Sequence, residues 1–325
     1  MFAYIDDWLI IANSEAEAAS RTDEVVSLLE ELGWLINREK SSLQPTQSIV
    51  YLGARLDFTQ GVAFPTTERL LNLYQSVGSI LSKPASPARS WLRALGLMAS
   101  LVEVLELCRL RMRPLQRHLL SLFNPATDTM AVAIPLPGDL KRFLSWWTVH
   151  HNVTSGRPFQ EIRPRTTVTT DASLSGWGAT WENQLASGVW GTEERGVHIN
   201  VLESLAVLRA IQYWANQLSG HVVTVKSDNS TTVSYINRQG GTRSSSLLKR
   251  TWELLMTCED LGILLKASHL AGKQNVRADA LSRLDRGEWT LAQSWVDHLF
   301  LLFGRPYVDL FAKADNARLQ TFCSR

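Results

Sequence analysis

The sequence is short of the features that would place it quickly. Its three cysteines, Cys108, Cys258 and Cys323, lie far apart and lack metal-ligand spacing. That odd set excludes a disulfide framework and a zinc site, and it fits reduced thiols in an intracellular protein, cytoplasm and nucleus not being distinguished. No apolar run approaches the roughly 18 residues of a membrane span, so no membrane partner is expected. The apolar start, MFAYIDDWLIIA, has no basic leading region and carries two acids in its middle, which makes a poor signal peptide. Excess charge is missing too. Thirty-three Lys and Arg against thirty-one Asp and Glu leave a net charge of +2, so any nucleic-acid affinity must come from local clusters. There is no internal repeat, no low-complexity tract, no GxxxxGK loop and no Ser-His-Asp arrangement.

What is present is ordinary globular material. A length of 325 residues favours two domains, and 45% hydrophobic with 20% charged residues is a usual balance. Twelve tryptophans are many for this length; they read as core and interface residues, with stacking on bases as the alternative. Residues 2 to 12 read as a β-hairpin with Asp6 and Asp7 at its turn. Ser14 with Glu17 is a capping box opening a helix that Gly33 stops. Strands are expected over 49–52 and 54–58, and helices over about 67–82 and 88–122 around a break at Pro84 and Pro87. The second helical stretch holds Arg109, Arg111, Arg113, Arg117 and His118, the densest basic cluster: a solvated face, or a surface that tracks phosphates. A proline-punctuated connector with one short helical piece (140–149) follows.

From Thr166 the pattern changes to β-β-β-α-β-α-α-β-α, a mixed sheet with helices on its faces and hence an α/β fold. Four acids stand out there. Asp171 closes a β-branched strand, and Asp228 follows the strand 222–226. Glu203 lies on the packed side of the helix VLESLAVLRAIQYW, where an unpaired carboxylate is costly. Asp279 sits near the start of the last helix. Each has a plain explanation as turn former, cap or dipole partner. Together at one sheet edge they would repel one another unless cations sat between them, and hard divalent ions suit all-carboxylate sites. Two such ions about 4 Å apart support phosphodiester hydrolysis. His269 ends a strand ten positions before Asp279, and Gly272 permits a turn between them, so the imidazole could move a proton near the acids.

TDAS at 170–173, the helix with Glu203, SDNST at 227–231 and HLAGKQNVRADALSR at 269–283 resemble the ribonuclease H domain of retroelement polyproteins. AYIDDWLI resembles the Tyr-x-Asp-Asp palm motif of reverse transcriptases, and YLGARLDF at 51–58 the strand after it. RLRMRPLQ, HINVLESLAV and the closing VDLFAKADNARLQTFCSR are similar to DIRS-type, tyrosine-recombinase retrotransposons. The resemblance implies a ribonuclease H-like five-stranded sheet at 165–286. Before it would come a partial palm (1–64), a helical thumb or connection region (65–123) and a connector (124–164); a C-terminal extension (287–325) would follow. It implies that Asp171, Glu203, Asp228 and Asp279 hold two Mg²⁺ or Mn²⁺ ions, that His269 is the mobile histidine, and that the substrate is the RNA strand of an RNA–DNA hybrid. Asn229, Ser230 and Thr231 would steady a phosphate. Asp6 and Asp7 would be a vestigial polymerase metal site: the third palm acid and the fingers are not in this sequence, so polymerisation by this chain alone is not expected and the missing palm and fingers would be partners. Between its second and third helices the domain has GGTRSSS at 240–246 rather than a basic helix, so the 109–118 stretch is expected to aid substrate affinity. Two other readings stay open: a catalytically silent remnant that binds nucleic acid, and an integrase-like nuclease, whose last glutamate would sit on a late helix rather than the first.

Overall fold

The computed structural model describes residues 1–283, 292–310 and 317–323. The boundary expected at 286 and part of the closing stretch lie outside the described residues. Chain contacts separate two units: Met1–Pro164 with Tyr235–Met256, and Arg165–Ser234 with Thr257–Arg325.

The first unit opens with the expected hairpin, Phe2–Tyr4 against Asp7–Leu9, turned at Ile5 in the left-handed region (φ 49°). The helix Glu15–Glu31 starts where the capping box puts it: Ser14 Oγ accepts from the Glu17 N–H at 3.2 Å, and Glu17 Oε2 from the Asn13 N–H at 3.0 Å. Gly33, at φ 84°, lets Trp34 N–H reach back to the Leu29 carbonyl, closing the helix. None of this helix is buried. A four-stranded antiparallel sheet follows, Ser48–Tyr51, Ala54–Asp57, Val62–Pro65 and Arg157–Pro158, the last arriving from far along the chain.

The core of this unit is helical. Leu70, Leu73, Val77 and Ile80 line one face of Thr67–Leu81 at three- and four-residue spacing and pack with Trp91, Met98, Leu115, Leu144 and Trp147. The single helical stretch expected over 88–122 is two helices, Ala88–Ala99 and Cys108–Leu122. Leu101, Val104 and Leu105 between them are buried at helical spacing, so the pattern reads as helix, while the backbone makes successive turns and Leu107 takes φ 51°. The expected break at Pro84 and Pro87 contains a short strand, Ala85–Pro87, paired with Ala133–Pro135. The connector helix is Gly138–Ser145, followed by a 3-10 turn, Trp146–Thr148, and a short helix, His150–Thr154.

The second unit is built on a mixed five-stranded sheet in the order Gln184–Val189, Gly176–Trp181, Arg165–Ala172, Val222–Ser227, Leu264–His269. The first three strands are antiparallel neighbours; the last two run parallel to Arg165–Ala172 and to each other. That strand order with its helical crossovers is the ribonuclease H-like α/β fold. The helix Ile199–Tyr213 packs on the strands Arg165–Ala172 and Gly176–Trp181, and its residues 201–208 are all buried. The helix Val276–Ser282 crosses the strand Gly176–Trp181 closely. A Cβ at Gly178 would collide with the Ala278 carbonyl and lie 2.5 Å from Leu281 Cβ, so only glycine lets this helix sit so near the sheet.

Candidate metal centre

The parallel register brings the two strand-end acids together. Lys226 pairs with Thr169, so the residues two places further on, Asp228 and Asp171, emerge side by side where the strands end. Glu203, on the helix packed against Arg165–Ala172, points at the same spot. Carboxylate oxygens of Asp171, Glu203 and Asp228 all lie within 4.8 Å of one another. Asp171 and Glu203 are buried, whereas Asp228 is more open.

These carboxyls are held by neutral donors. Ser282 Oγ donates to Asp171 Oδ2 at 2.6 Å, and Asn275 Nδ2 to Asp171 Oδ1 at 3.2 Å and to the Thr170 carbonyl at 3.1 Å. Ser227 Oγ lies 3.4 Å from Glu203 Oε2. Burial, reinforced by repulsion from Asp171 and Asp228, pushes Glu203 up to about 8. Burial also raises Asp171, to about 6; the Ser282 hydrogen bond opposes that, and the Asp228 and Asp279 charges add to it. Three converging carboxylates in which the two buried members resist ionisation are a set that a hard cation would relieve. The donor atoms are all oxygen. The residues present therefore fit a divalent metal.

Asp279 is not part of this trio. It sits on the helix Val276–Ser282, where its Oδ1 accepts from Arg283 Nε at 2.8 Å and pairs with Nη2 at 2.8 Å, though its charge still reaches Asp171. His269 ends the last strand opposite Ser227, exposed, with Nε2 3.1 Å from the Asp228 carbonyl oxygen. In the loop that follows, a Cβ at Gly272 would stand 3.0 Å from Asp228 Oδ2. Asn229 caps the helix Ser230–Asn237: its Oδ1 accepts from the Thr232 N–H at 2.9 Å, and its Nδ2 donates to Asn200 Oδ1 at 2.9 Å. Ser230 is exposed and Thr231 half-buried.

The basic stretch is engaged in contacts of its own. Arg113 donates to the Arg238 carbonyl at 2.8 Å and Arg117 to the Thr242 carbonyl at 3.1 Å. Gln239 Oε1 accepts from the N–H groups of Arg109 and Leu110, capping a helix whose own N-cap, Leu107, has no side-chain oxygen. The Arg111 guanidinium lies over the rings of Trp146 and Trp252, and His118 Nε2 is 2.7 Å from the Pro135 carbonyl oxygen. Asp6 and Asp7 are exposed on the N-terminal hairpin, and among the described residues no third acid gathers with them.

Sequence reasoning missed Ser282 and Asn275. Both lie in the segment that carries His269 and Asp279, Asn275 just before the helix Val276–Ser282 and Ser282 at its end. Neither residue type announces a carboxylate partner by itself.

No family model matches the chain. It is 25% identical over 293 residues to the enzymatic polyprotein of carnation etched ring virus and 24% identical over 307 residues to that of figwort mosaic virus, each match covering 86% of this chain. The chain spans about 40% of the length of these curated relatives. Among solved structures, a foamy viral protease-reverse transcriptase in complex with double-stranded DNA covers 80% of this chain and 44% of its own, at 16% identity and a TM-score of 0.39. The RNase H1 of the archaeon Halobacterium salinarum covers 37% of this chain and 98% of its own, at 17% identity and a TM-score of 0.31. Among the described residues no helix is long and apolar enough to cross a membrane.

Proposed function

We propose that this chain is the ribonuclease H-bearing part of a retroelement polyprotein, of the DIRS or tyrosine-recombinase type, and that it hydrolyses the RNA strand of RNA–DNA hybrids inside the cell. The observation that carries the reading is the convergence of Asp171, Glu203 and Asp228 at one sheet edge, two of them buried and resisting ionisation. These three, with Asp279 beside them, would hold two Mg²⁺ or Mn²⁺ ions, which when bound supply a polarised phosphate and an activated water.

The chain's own residues do the rest. Ser282 and Asn275 fix the Asp171 carboxyl, and Ser227 with the Ala172 N–H fixes Glu203. His269, whose Nε2 lies 3.1 Å from the Asp228 carbonyl oxygen, would carry a proton to or from the site. The N–H groups of Ser230 and Thr231, at the helix start that Asn229 caps, steady a substrate phosphate. Residues 1–64 are read as part of a palm, with Asp6 and Asp7 its vestigial metal acids, 65–123 as thumb or connection, 124–164 as connector, 165–286 as the nuclease domain and 287–325 as an extension. Further reverse-transcriptase parts are proposed as partners, and Arg109, Arg111, Arg113 and Arg117 are assigned to the nucleic-acid surface.

The test is cleavage of a labelled RNA–DNA hybrid in Mg²⁺ and in Mn²⁺, with Asp228→Asn as control. Cutting by the unsubstituted protein and none by the variant is expected. Equal signal from both ends the reading; hybrid binding without cleavage at saturating metal makes the chain a silent remnant; and preference for duplex DNA makes it a different nuclease of this fold.

A further inference from the structure

Away from the acids, the first unit contains a cleft of about 250 Å³ lined by Arg111, Arg142, Phe143, Trp146 and Trp252. Arg111 comes from the helix Cys108–Leu122, Arg142 and Phe143 from Gly138–Ser145, Trp146 from the turn after it, and Trp252 from the helix Ser245–Asp260. The rings and guanidinium groups are already layered. The Arg111 guanidinium carbon lies 4.8 Å from the Trp146 ring centre and 5.4 Å from that of Trp252, and that of Arg142 lies 4.7 Å from the Phe143 ring centre. Phe143 meets Trp252 edge to face at 5.3 Å.

Phe143 and Trp146 pack by one side on the helical core yet, like Trp252, stay half-buried, whereas Trp91 and Trp147 are fully buried, and Arg142 is exposed. The lining also includes the exposed guanidinium of Arg142. The volume is below the range of about 300–1,000 Å³ that suits drug-sized ligands. It suits one flat ring system with an anionic group attached.

We propose that this cleft is a binding site for an unpaired nucleotide of a nucleic-acid strand, the base stacking on the aromatic and guanidinium layers and the phosphate facing Arg142. In a duplex every base face is already covered, so only a single-stranded or frayed nucleotide can offer one. Aromatic stacking of this kind tolerates any base. The site serves the same substrate class as the acids, and it rests on the proposed function only for the source of the strand.

The test measures binding of the full chain to a fluorescein-labelled oligothymidylate and to an abasic strand with the same sugar–phosphate backbone. The unsubstituted protein is expected to bind the first about tenfold more tightly. Trp252→Leu should bring the two affinities together, while Trp252→Phe, which keeps a ring face and guards against misfolding, should retain most of the difference. Arg142→Ser, at an exposed position, should lower the salt slope by about 0.7, one phosphate contact on a single strand. No base preference in the unsubstituted protein overturns the proposal, as does a preference and salt slope that neither Trp252→Leu nor Arg142→Ser alters. Hybrid cleavage measured in parallel keeps the readings apart: its absence from all proteins counts against the nuclease and leaves the base comparison standing.

Discussion

Ser282 Oγ lies 2.6 Å from Asp171 Oδ2, and both side chains are buried. The serine is on the helix Val276–Ser282 and the aspartate on the first strand of the sheet, so one hydrogen bond ties that helix to the strand at the acid cluster. The same hydroxyl is 2.9 Å from the Asp279 carbonyl oxygen, a second and longer acceptor for its single proton.

Ser282→Ala should therefore weaken the cluster without unfolding the protein. Removing a donor behind a metal-binding carboxylate commonly costs 10- to 100-fold in affinity or activity. We expect the Mg²⁺ concentration for half-maximal hybrid cleavage to rise about tenfold, with cleavage partly restored at high Mg²⁺. A titration giving the same midpoint for both proteins would show that Asp171 needs no such support.

Glu203→Gln separates stability from function. The amide can still accept from Ser227 and from the Ala172 N–H, and it replaces a carboxyl that burial and two facing acids keep from ionising. Melting in the presence of EDTA should show a variant more stable by about 1–2 kcal/mol, within the range typical of relieving a strained site. Its hybrid cleavage should fall to background. A variant that melts lower than the parent contradicts the account of mutual repulsion.

Gly178→Ala tests how the helix Val276–Ser282 is placed. The added methyl would strike the Ala278 carbonyl and crowd Leu281 and Ser282, which are helix backbone and core rather than a flexible chain end. Destabilisation of about 1–3 kcal/mol is expected, read from urea midpoints. Cleavage should suffer beyond the stability loss, because the displaced helix carries both Ser282 and Asp279. Gly61→Ala, where nothing lies within 4 Å, serves as the comparison for a strained glycine away from the site.

The five-stranded sheet was legible in the sequence because two of its strands are β-branched runs that lead to acids, Asp171 and Asp228, and its helices carry long apolar periods. Asp171 and Asp228 could be placed at strand ends from the sequence; that the two strands run parallel side by side came from the structure. Asp279 was less readable. Sequence spacing places it on the right helix, but its ion pair with Arg283, one turn on, is a choice of rotamer. The split of 88–122 into two helices was hidden because buried Leu101, Val104 and Leu105 keep helical spacing through a chain of turns without glycine or proline. The arginines at 109–117 read as a free basic face, yet Arg113 and Arg117 reach carbonyls about 125 residues away along the chain. A contact so distant leaves no local trace.

The last prediction concerns pH. Glu203 ordinarily ionises at 4.5 and in the folded protein is pushed up to about 8, chiefly by burial; Asp171 moves from 3.8 to about 6 for the same main reason. A carboxyl raised in this way binds more protons folded than unfolded between the two values. Its contribution to stability is complete below the unfolded value and is lost as pH climbs through the folded one. The metal-free protein should thus lose thermal stability steadily from about pH 4 to about pH 8, Asp171 acting in the lower part of that window and Glu203 across nearly all of it. Glu203→Gln should flatten the upper part, between about pH 6 and pH 8, and leave in the lower part only the share that Asp171 contributes. Saturating Mg²⁺ should flatten both, since a bound cation favours the ionised carboxylates that burial disfavours. Melting temperatures across this pH range, with EDTA and with Mg²⁺, provide the check: a metal-free protein whose stability rises with pH through this window would mean that the two carboxyls are not buried against one another.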